Sequence, residues 1–190
     1  LLAEQLLTLP VGAALGFGVG PVVLSRPGGA SAASPKVACP GRWTTATLLW
    51  QLFHPDEGAL EQRPFHEIIP ALEAGESDLG VCIHEARFTY EAHGLELIED
   101  LGATWERETG APLPLGGIFA RRSLGDEQTA RVTALIQASL AYGRANPDEA
   151  LTSMRRYAQE FEDDVLREHV TLYVNEFTTA LGEVGEGALS

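Results

Sequence analysis

Short apolar runs and stretches of helical periodicity alternate through the first half of the chain. The runs at 20–25, 36–40 and 79–83 are short and bounded by polar residues, glycine or proline, and each predicts a buried strand. Between the second and third runs, apolar residues at helical spacing predict helices over 45–53 and 66–74. The order of strand, helix, helix and strand is typical of a βαβ-like unit, so we expect a parallel sheet.

The second half of the chain is predicted to be mainly helical. The remaining predicted elements are the end of a helix and a Gly-rich turn over 1–18, a strand at 95–99, a brief helix over 103–109, a glycine-containing strand at 115–120, and helices over 126–145, from Asn146-Pro147 onward and over 163–177. The helices after Ser123 carry apolar stripes, but the sequence beside them contains no strands that would cover those stripes.

The order of these elements predicts an α/β fold of two lobes. The Gly-, Ser- and Pro-rich segment 26–35 is typical of a loop at a lobe boundary. We expect a complete α/β lobe at 27–114, bracketed by two short strands suited to be hinges. The other lobe, at 1–26 and 115–190, is expected to be partial and mostly helical. Two crossover strands of this kind are the arrangement of two-lobed ligand-binding proteins.

Composition excludes several classes of partner. The 190 residues carry 27 acidic and 13 basic side chains, for a net charge of −14, and Lys36 is the only lysine. No basic stripe exists for nucleic acid or a membrane surface. No apolar run approaches the roughly 18 residues that cross a bilayer. The chain has no initiator Met and no basic leader, so we expect a processed chain or a part of a longer one.

The two cysteines, Cys39 and Cys82, lie inside apolar runs. We interpret them as buried thiols in a reducing cytosol, in preference to a disulfide or a metal site. Neither CxxC nor HExxH occurs, so the sequence predicts no metal site.

A polar cluster follows the apolar run at 79–83 and begins with His84. Ligands of open α/β sheets bind just beyond the carboxyl ends of the strands. A histidine at that position is well placed to act as a general base, because imidazole titrates near neutral pH. The alternative is a structural histidine, and the local sequence leaves both open.

A second candidate site follows the run at 36–40. Gly41 breaks the strand, Thr44 is a predicted N-cap, and the helix then begins at Thr45 and Ala46. Free N–H groups and the helix dipole at such a start favour an anion. The alternative is a plain capped helix without a ligand.

Four spaced motifs resemble one enzyme family. They are Gly18-Val19-Gly20-Pro21, Pro40-Gly41-Arg42-Trp43-Thr44-Thr45-Ala46, His84-Glu85-Ala86-Arg87-Phe88-Thr89-Tyr90, and Leu113-Pro114-Leu115-Gly116 followed by Ala120-Arg121-Arg122. In this order they closely resemble the 1,4-dihydroxy-6-naphthoate synthase family, which belongs to the futalosine route of menaquinone biosynthesis. The resemblance extends over nearly the whole chain, through Tyr173-Val174-Asn175.

The resemblance implies a fold like that of periplasmic binding proteins, working in the cytoplasm with no metal or organic cofactor. It implies a lyase that converts cyclic de-hypoxanthine futalosine to 1,4-dihydroxy-6-naphthoate and releases the sugar-derived fragment. His84 matches the proton-abstracting histidine of the family, and Thr45 and Ala46 match its substrate-contacting pair.

The substrate carries a carboxylate, which the acidic chain would repel. We therefore expect compensation from the helix start at Thr44 to Ala46, together with Arg42 or Arg87. Glu85 is a further candidate, as the partner that orients the histidine.

One departure from the family and three alternatives remain. Family members carry an Asn-Asp motif and a serine-containing substrate loop in an earlier segment, and this chain contains neither, so we expect a fragment. The alternatives are a non-catalytic solute-binding protein of the same fold, the related chorismate dehydratase and a regulatory effector-binding lobe. The expected partner is a small-molecule carboxylate, and the sequence predicts no particular oligomeric state.

Overall fold

The structure is a computed structural model that describes residues 4–29, 33–84, 86–157 and 163–189. The chain divides into two compact units. We call Gly18–Gly110 the central unit, and Leu1–Phe17 with Ala111–Ser190 the terminal unit. The observed divisions therefore fall before residue 18 and after residue 110, and not at the predicted 27 and 114.

The secondary structure is a mixture of short strands and helices. The strands are β1 (Leu6–Thr8), β2 (Ala14–Gly16), β3 (Val22–Ser25), β4 (Lys36–Cys39), β5 (Ala59–Gln62), β6 (Leu79–Cys82), β7 (Glu96–Asp100), β8 (Leu113–Gly116) and β9 (Phe119–Arg121). The helices are α1 (Thr45–Phe53), α2 (Phe65–Ala74), α3 (Ala86–Thr89), α4 (Leu101–Thr109), α5 (Asp126–Ala145), α6 (Pro147–Met154), α7 (Asp163–Tyr173), α8 (Glu176–Thr179) and α9 (Gly182–Ala188). Short 3₁₀ helices lie at Tyr90–His93 and Arg122–Leu124.

The central unit is built on a five-stranded sheet with the order β5-β4-β6-β3-β7. β4 pairs in parallel with β6, with Val37 opposite Leu79, which confirms the predicted parallel arrangement of these two strands. β4 also pairs in parallel with β5, a strand that the sequence did not predict. β3 runs antiparallel to both β6 and β7, so the sheet is mixed. An apolar run specifies a buried strand but not its direction, which is why the sequence pattern missed the reversal.

β3 is the strand that the sequence suggested as one of the two hinges. All four of its residues are buried, and it lies between two partners of the central sheet. Its hydrogen bonds tie it to β6 and β7, which explains why the boundary of the central unit comes before it.

Helix α2 packs directly onto β6. Ile68 and Leu72 are fully buried, and a Cβ atom on Gly80 of β6 would lie 2.6 Å from Ile68 Cγ2 and 2.8 Å from Leu72 Cδ1. The missing side chain at Gly80 is therefore what lets the helix approach the strand. The helix ends at Gly75, whose φ of 74° is a left-handed cap that glycine adopts without strain.

The terminal unit contains two small antiparallel pairs, β1 with β9 and β2 with β8. The prediction of a helix end over 1–18 was wrong, since β1 and β2 lie there. The predicted strand at 115–120 is divided between β8 and β9, which pair with different strands. β2 packs on the end of the chain in a small core formed by Ala13, Leu15, Phe177 and Leu181.

Helix α5 is the longest helix of the described residues, with 20 residues, yet none of them is buried. Its predicted apolar stripe is partly exposed, with Leu135 at 71% and Val132 at 36% of full exposure. Among the described residues, no helix is long and apolar enough to cross a membrane.

Candidate functional site

The candidate site lies where the neighbouring parallel strands β4 and β6 end. Because β4 and β6 run in the same direction, the segments that follow them emerge at one edge of the sheet, which we call the carboxyl edge. The segment after β4 leads through Gly41 into helix α1, and the segment after β6 carries His84. Both predicted sites therefore belong to one region of the central unit.

His84 lies two residues beyond the end of β6, with an exposed side chain. Its φ of 59° is the only positive value at a non-glycine position among the described residues. This left-handed backbone costs a residue with a Cβ roughly 1–2 kcal/mol, and such strain concentrates at functional sites. The backbone conformation thus supports a functional role more strongly than the sequence position alone.

The imidazole of His84 contacts the ring of Phe65, with the ring centroids 5.1 Å apart and the planes at 65°. Phe65 begins helix α2, which follows β5 at the same edge of the sheet. Sequence reasoning missed this neighbour because β5 was not predicted. β5 reads Ala-Leu-Glu-Gln and all four residues are exposed, so its sequence shows neither a buried apolar run nor an alternating pattern. Glu85, the suggested orienting partner, lies outside the described residues.

Thr44 is the N-cap of α1, as predicted. Its hydroxyl accepts from the Thr47 N–H at 3.2 Å and donates to the Gly41 carbonyl at 2.8 Å. The buried Thr47 hydroxyl donates to the same carbonyl at 2.8 Å, which fixes the turn. The Thr44 side chain therefore builds the helix start, and its predicted contact with the substrate stays a prediction.

Thr45 and Ala46 occupy the first two positions of α1. Their N–H groups receive no acceptor from within the helix, because the first turn has none to offer. The Thr45 side chain is half-buried, and Ala46 is 1% exposed. This arrangement fits an anion that approaches along the helix axis.

Two further side chains of the turn are exposed. Trp43 is 89% exposed, and the Arg42 guanidinium lies 5.0 Å from the centre of its ring. The pair places an aromatic face and a positive charge one and two residues before the N-cap Thr44. Sequence reasoning considered Arg42 but not Trp43, whose exposure is a tertiary property.

Arg87 is engaged within the central unit. Its Nη2 donates to Asp100 Oδ2 at 2.5 Å, and its Nη1 donates to the Gly20 carbonyl at 3.2 Å. The two side chains are 18% and 23% exposed. These contacts hold the Arg87 side chain against Gly20 and Asp100. Its predicted role in substrate binding stays a prediction.

A cavity of about 420 Å³ lies elsewhere in the central unit and reaches the amino ends of β4 and β6 at Pro35 and Leu79. His54 lines it, with Nε2 2.7 Å from Glu99 Oε2 and a ring stacked on Trp50 at 4.4 Å. These contacts secure the end of α1 to β7. No motif or periodic pattern in the sequence predicted this cluster.

The described residues contain no group of three or more histidine, cysteine or acidic side chains able to hold a metal ion. Cys39 and Cys82 are both free and buried. Burial raises the pKa of the Cys39 thiol to about 11 and, with a smaller contribution from Cys39, that of Cys82 to about 12. Both thiols are therefore protonated and inert at neutral pH.

Comparison with known proteins identifies the family. A family model described as "Menaquinone biosynthesis" matches residues 1–190. The chain belongs to this menaquinone biosynthesis family. It is 44% identical over 186 residues to a 1,4-dihydroxy-6-naphtoate synthase of Streptomyces coelicolor, covering 95% of this chain and 66% of that one. A Thermus thermophilus protein of the same name is 44% identical over 187 residues, covering 98% and 68%.

Solved structures place the menaquinone-family chain in a known fold. An Archaeoglobus fulgidus protein is 33% identical with a TM-score of 0.90, over 99% of this chain and 70% of that one. The ligand-binding component of an ABC-type import system from Staphylococcus aureus has a TM-score of 0.60 at 14% identity, over 88% and 59%. The fold is thus α/β and like that of periplasmic binding proteins, as predicted. The chain spans about two thirds of the curated relatives it matches.

Proposed function

We propose that this chain carries the catalytic histidine of a cytoplasmic 1,4-dihydroxy-6-naphthoate synthase. The observation that carries the proposal is the position of His84, whose strained backbone holds an exposed imidazole at the carboxyl edge, the edge at which the segment leading into helix α1 also emerges. The two relatives at 44% identity bear the name of this enzyme and support the assignment. The substrate would be cyclic de-hypoxanthine futalosine, and the enzyme would be a carbon–carbon lyase.

His84 is the proposed general base. A neutral imidazole removes a proton from the substrate, and this step begins the cleavage that releases the sugar-derived fragment. The sheet fixes the backbone of the preceding strand, and Phe65 contacts the ring from the side of β5. A base needs such fixed geometry, because a small misplacement lowers the rate strongly.

The start of helix α1 is the proposed site for the substrate carboxylate. The N–H groups of Thr45 and Ala46 and the positive end of the helix dipole would bind it, with Thr44 holding the turn in place. Arg42 adds a local positive charge that offsets the net charge of −14. The exposed ring of Trp43 offers a face on which the aromatic part of the ligand can stack.

The test is turnover of cyclic de-hypoxanthine futalosine by the full-length natural protein that contains this sequence. His84→Asn is the preferred variant, because asparagine tolerates the left-handed backbone at φ 59° better than most residues do. We expect a loss of about 10²- to 10⁴-fold in kcat, with the product measured by chromatography.

His66→Asn is the matched control. The His66 ring also contacts Phe65, at 5.5 Å, but lies on the exposed side of α2, and its loss should leave kcat within about twofold. Near-normal turnover of His84→Asn would show that the base lies elsewhere. If the unmutated protein binds the substrate without forming product, the alternative of a solute-binding protein is correct.

A further inference from the structure

The short helix after His84 is held by the burial of Ala86 in the core of the central unit and by the polar contacts of the Arg87 side chain. Helix α3 has only four residues, too few to be stable by itself. The bond from the Arg87 N–H to the His84 carbonyl is long, at 3.4 Å. The left-handed backbone at His84 also costs energy, so contacts from the surrounding structure must maintain it.

Arg87 supplies such contacts. Its guanidinium reaches two different partners, the Gly20 carbonyl just before β3 and the Asp100 carboxylate at the end of β7. β3 is the sheet neighbour of β6, the strand that leads into His84. The Arg87 side chain therefore attaches α3 to the same sheet that contains β6, the strand before His84.

Asp100 is itself fixed. Its Oδ1 accepts from the Ala103 N–H at 3.0 Å and caps helix α4, while its Oδ2 accepts from Arg87. The Asp100 carboxylate thus both caps α4 and binds Arg87, and each of its two oxygens accepts a hydrogen bond from the protein. A mostly buried, charge-assisted hydrogen bond of this kind restrains its partners more than an exposed ion pair does.

We infer that Arg87 and Asp100 form a positioning pair that holds His84 at the carboxyl edge, and that Arg87 does not bind the substrate. The pair holds α3, the helix that follows the histidine in the chain, so it acts on the reaction through His84. This inference rests on the proposed function only where it concerns turnover, because the position of the imidazole is measurable without substrate.

The test uses Arg87→Gln, Asp100→Asn and the double variant. Asp100→Asn keeps the cap of α4, since asparagine caps helices as well as aspartate does, and removes only the charge that Arg87 binds. Arg63→Gln is the matched control, because Arg63 is 21% exposed and pairs with Glu61 at 3.1 Å and with Glu76 at 2.8 Å, which lie in the same unit but outside α3.

The first readout is the imidazole NMR signal of His84 in the 190-residue chain, assigned among five histidines by its loss in His84→Asn. We expect the signal to shift or broaden in Arg87→Gln and Asp100→Asn but not in Arg63→Gln. If the pair is merely structural, Arg87→Gln, Asp100→Asn and the double variant will have lower melting temperatures while the His84 signal stays unchanged. That result would overturn the inference.

The second readout is kinetic, in the full-length natural protein. We expect kcat to fall about 10- to 100-fold in both single variants with KM within about twofold, because the base is misplaced while the substrate site remains. The double variant should be no worse than the more damaged single variant, since both remove one interaction. A rise in KM for Arg87→Gln alone, with kcat unchanged, would show that Arg87 contacts the substrate.

The two readouts separate the two proposals. If His84→Asn keeps its turnover, the proposed base is wrong, yet the NMR signal still decides whether Arg87 and Asp100 position the ring. If the signal moves in both variants while kcat stays normal, the pair positions His84 but His84 does not limit the reaction, and the catalytic part of the inference fails.

Discussion

Helix α2 of the central unit and helix α5 of the terminal unit each carry apolar residues at helical spacing. In α2, Ile68 and Leu72 are fully buried against a sheet. In α5, no residue is buried, and Leu135 is 71% exposed. The two helices differ in what lies beside them, since α2 covers β6 and a glycine there admits it closely. Periodicity thus identifies the apolar face of a helix but not its partner.

The contrast between α2 and α5 predicts a large difference in stability. Leu72→Ala removes a fully buried side chain from the core of the central unit and should lower the free energy of unfolding by about 2–5 kcal/mol. The measurement is urea denaturation followed by the fluorescence of Trp50, which is 2% exposed in the same unit. A loss below about 1 kcal/mol would mean that α2 does not pack as described.

The reactivity of the two buried thiols of the central sheet, Cys39 and Cys82, tests how tightly the core of the central unit is packed. Burial raises the thiol pKa from 9.0 to about 11 for Cys39 and to about 12 for Cys82, which lowers the thiolate fraction at pH 8 by about 10²-fold and about 10³-fold. Cys39 and Cys82 should therefore react with a thiol reagent at least about 10²-fold more slowly in the folded chain than in urea. Equal rates would show that the sheet opens readily.

The raised pKa values of the two thiols also make the stability of the fold depend on pH. Because folding raises the pKa of both thiols, their contribution to stability is complete below pH 9.0 and is lost as the pH rises toward about 11 for Cys39 and about 12 for Cys82. The unfolding midpoint should fall over that range, and Cys82→Ala should reduce the fall. An unchanged pH dependence in Cys82→Ala would contradict the assignment.

The smallest effect is expected in α5. Leu135→Ala should change the free energy of unfolding by no more than about 0.5 kcal/mol, because the side chain loses little buried area.

Exposed apolar stripes promote association, so the 190-residue chain should self-associate in sedimentation experiments and Leu135→Gln should reduce that tendency. A cooperative monomer at high concentration would contradict this expectation.

Local signals predicted much of the central unit. The helix predicted over 45–53 matches α1 from Thr45 to Phe53, because a capping threonine and a clear apolar face mark it. The exposed strand β5 was missed because its four residues carry no alternating pattern. The reversal of β3 was also missed, since strand direction depends on the path of the connections.

The candidate site was predicted in the same uneven way. His84 follows from the end of an apolar run, and the helix start at Thr44 follows from capping chemistry. The left-handed backbone of His84, its contact with Phe65 and the pairing of Arg87 with Asp100 all arise between segments far apart in the chain. No local pattern carries that information.

The most direct test of the account is where the product binds. We would titrate 1,4-dihydroxy-6-naphthoate into the isotope-labelled chain and follow its NMR signals. We expect saturable shifts of the Thr45 and Ala46 amides and the His84 imidazole, with the amide shifts absent when 1,4-dihydroxynaphthalene, which lacks the carboxylate, is used instead. If those three signals stay unchanged while the ring of His54 moves, the ligand binds in the cavity near Pro35 and Leu79, and the carboxyl edge is not the active site.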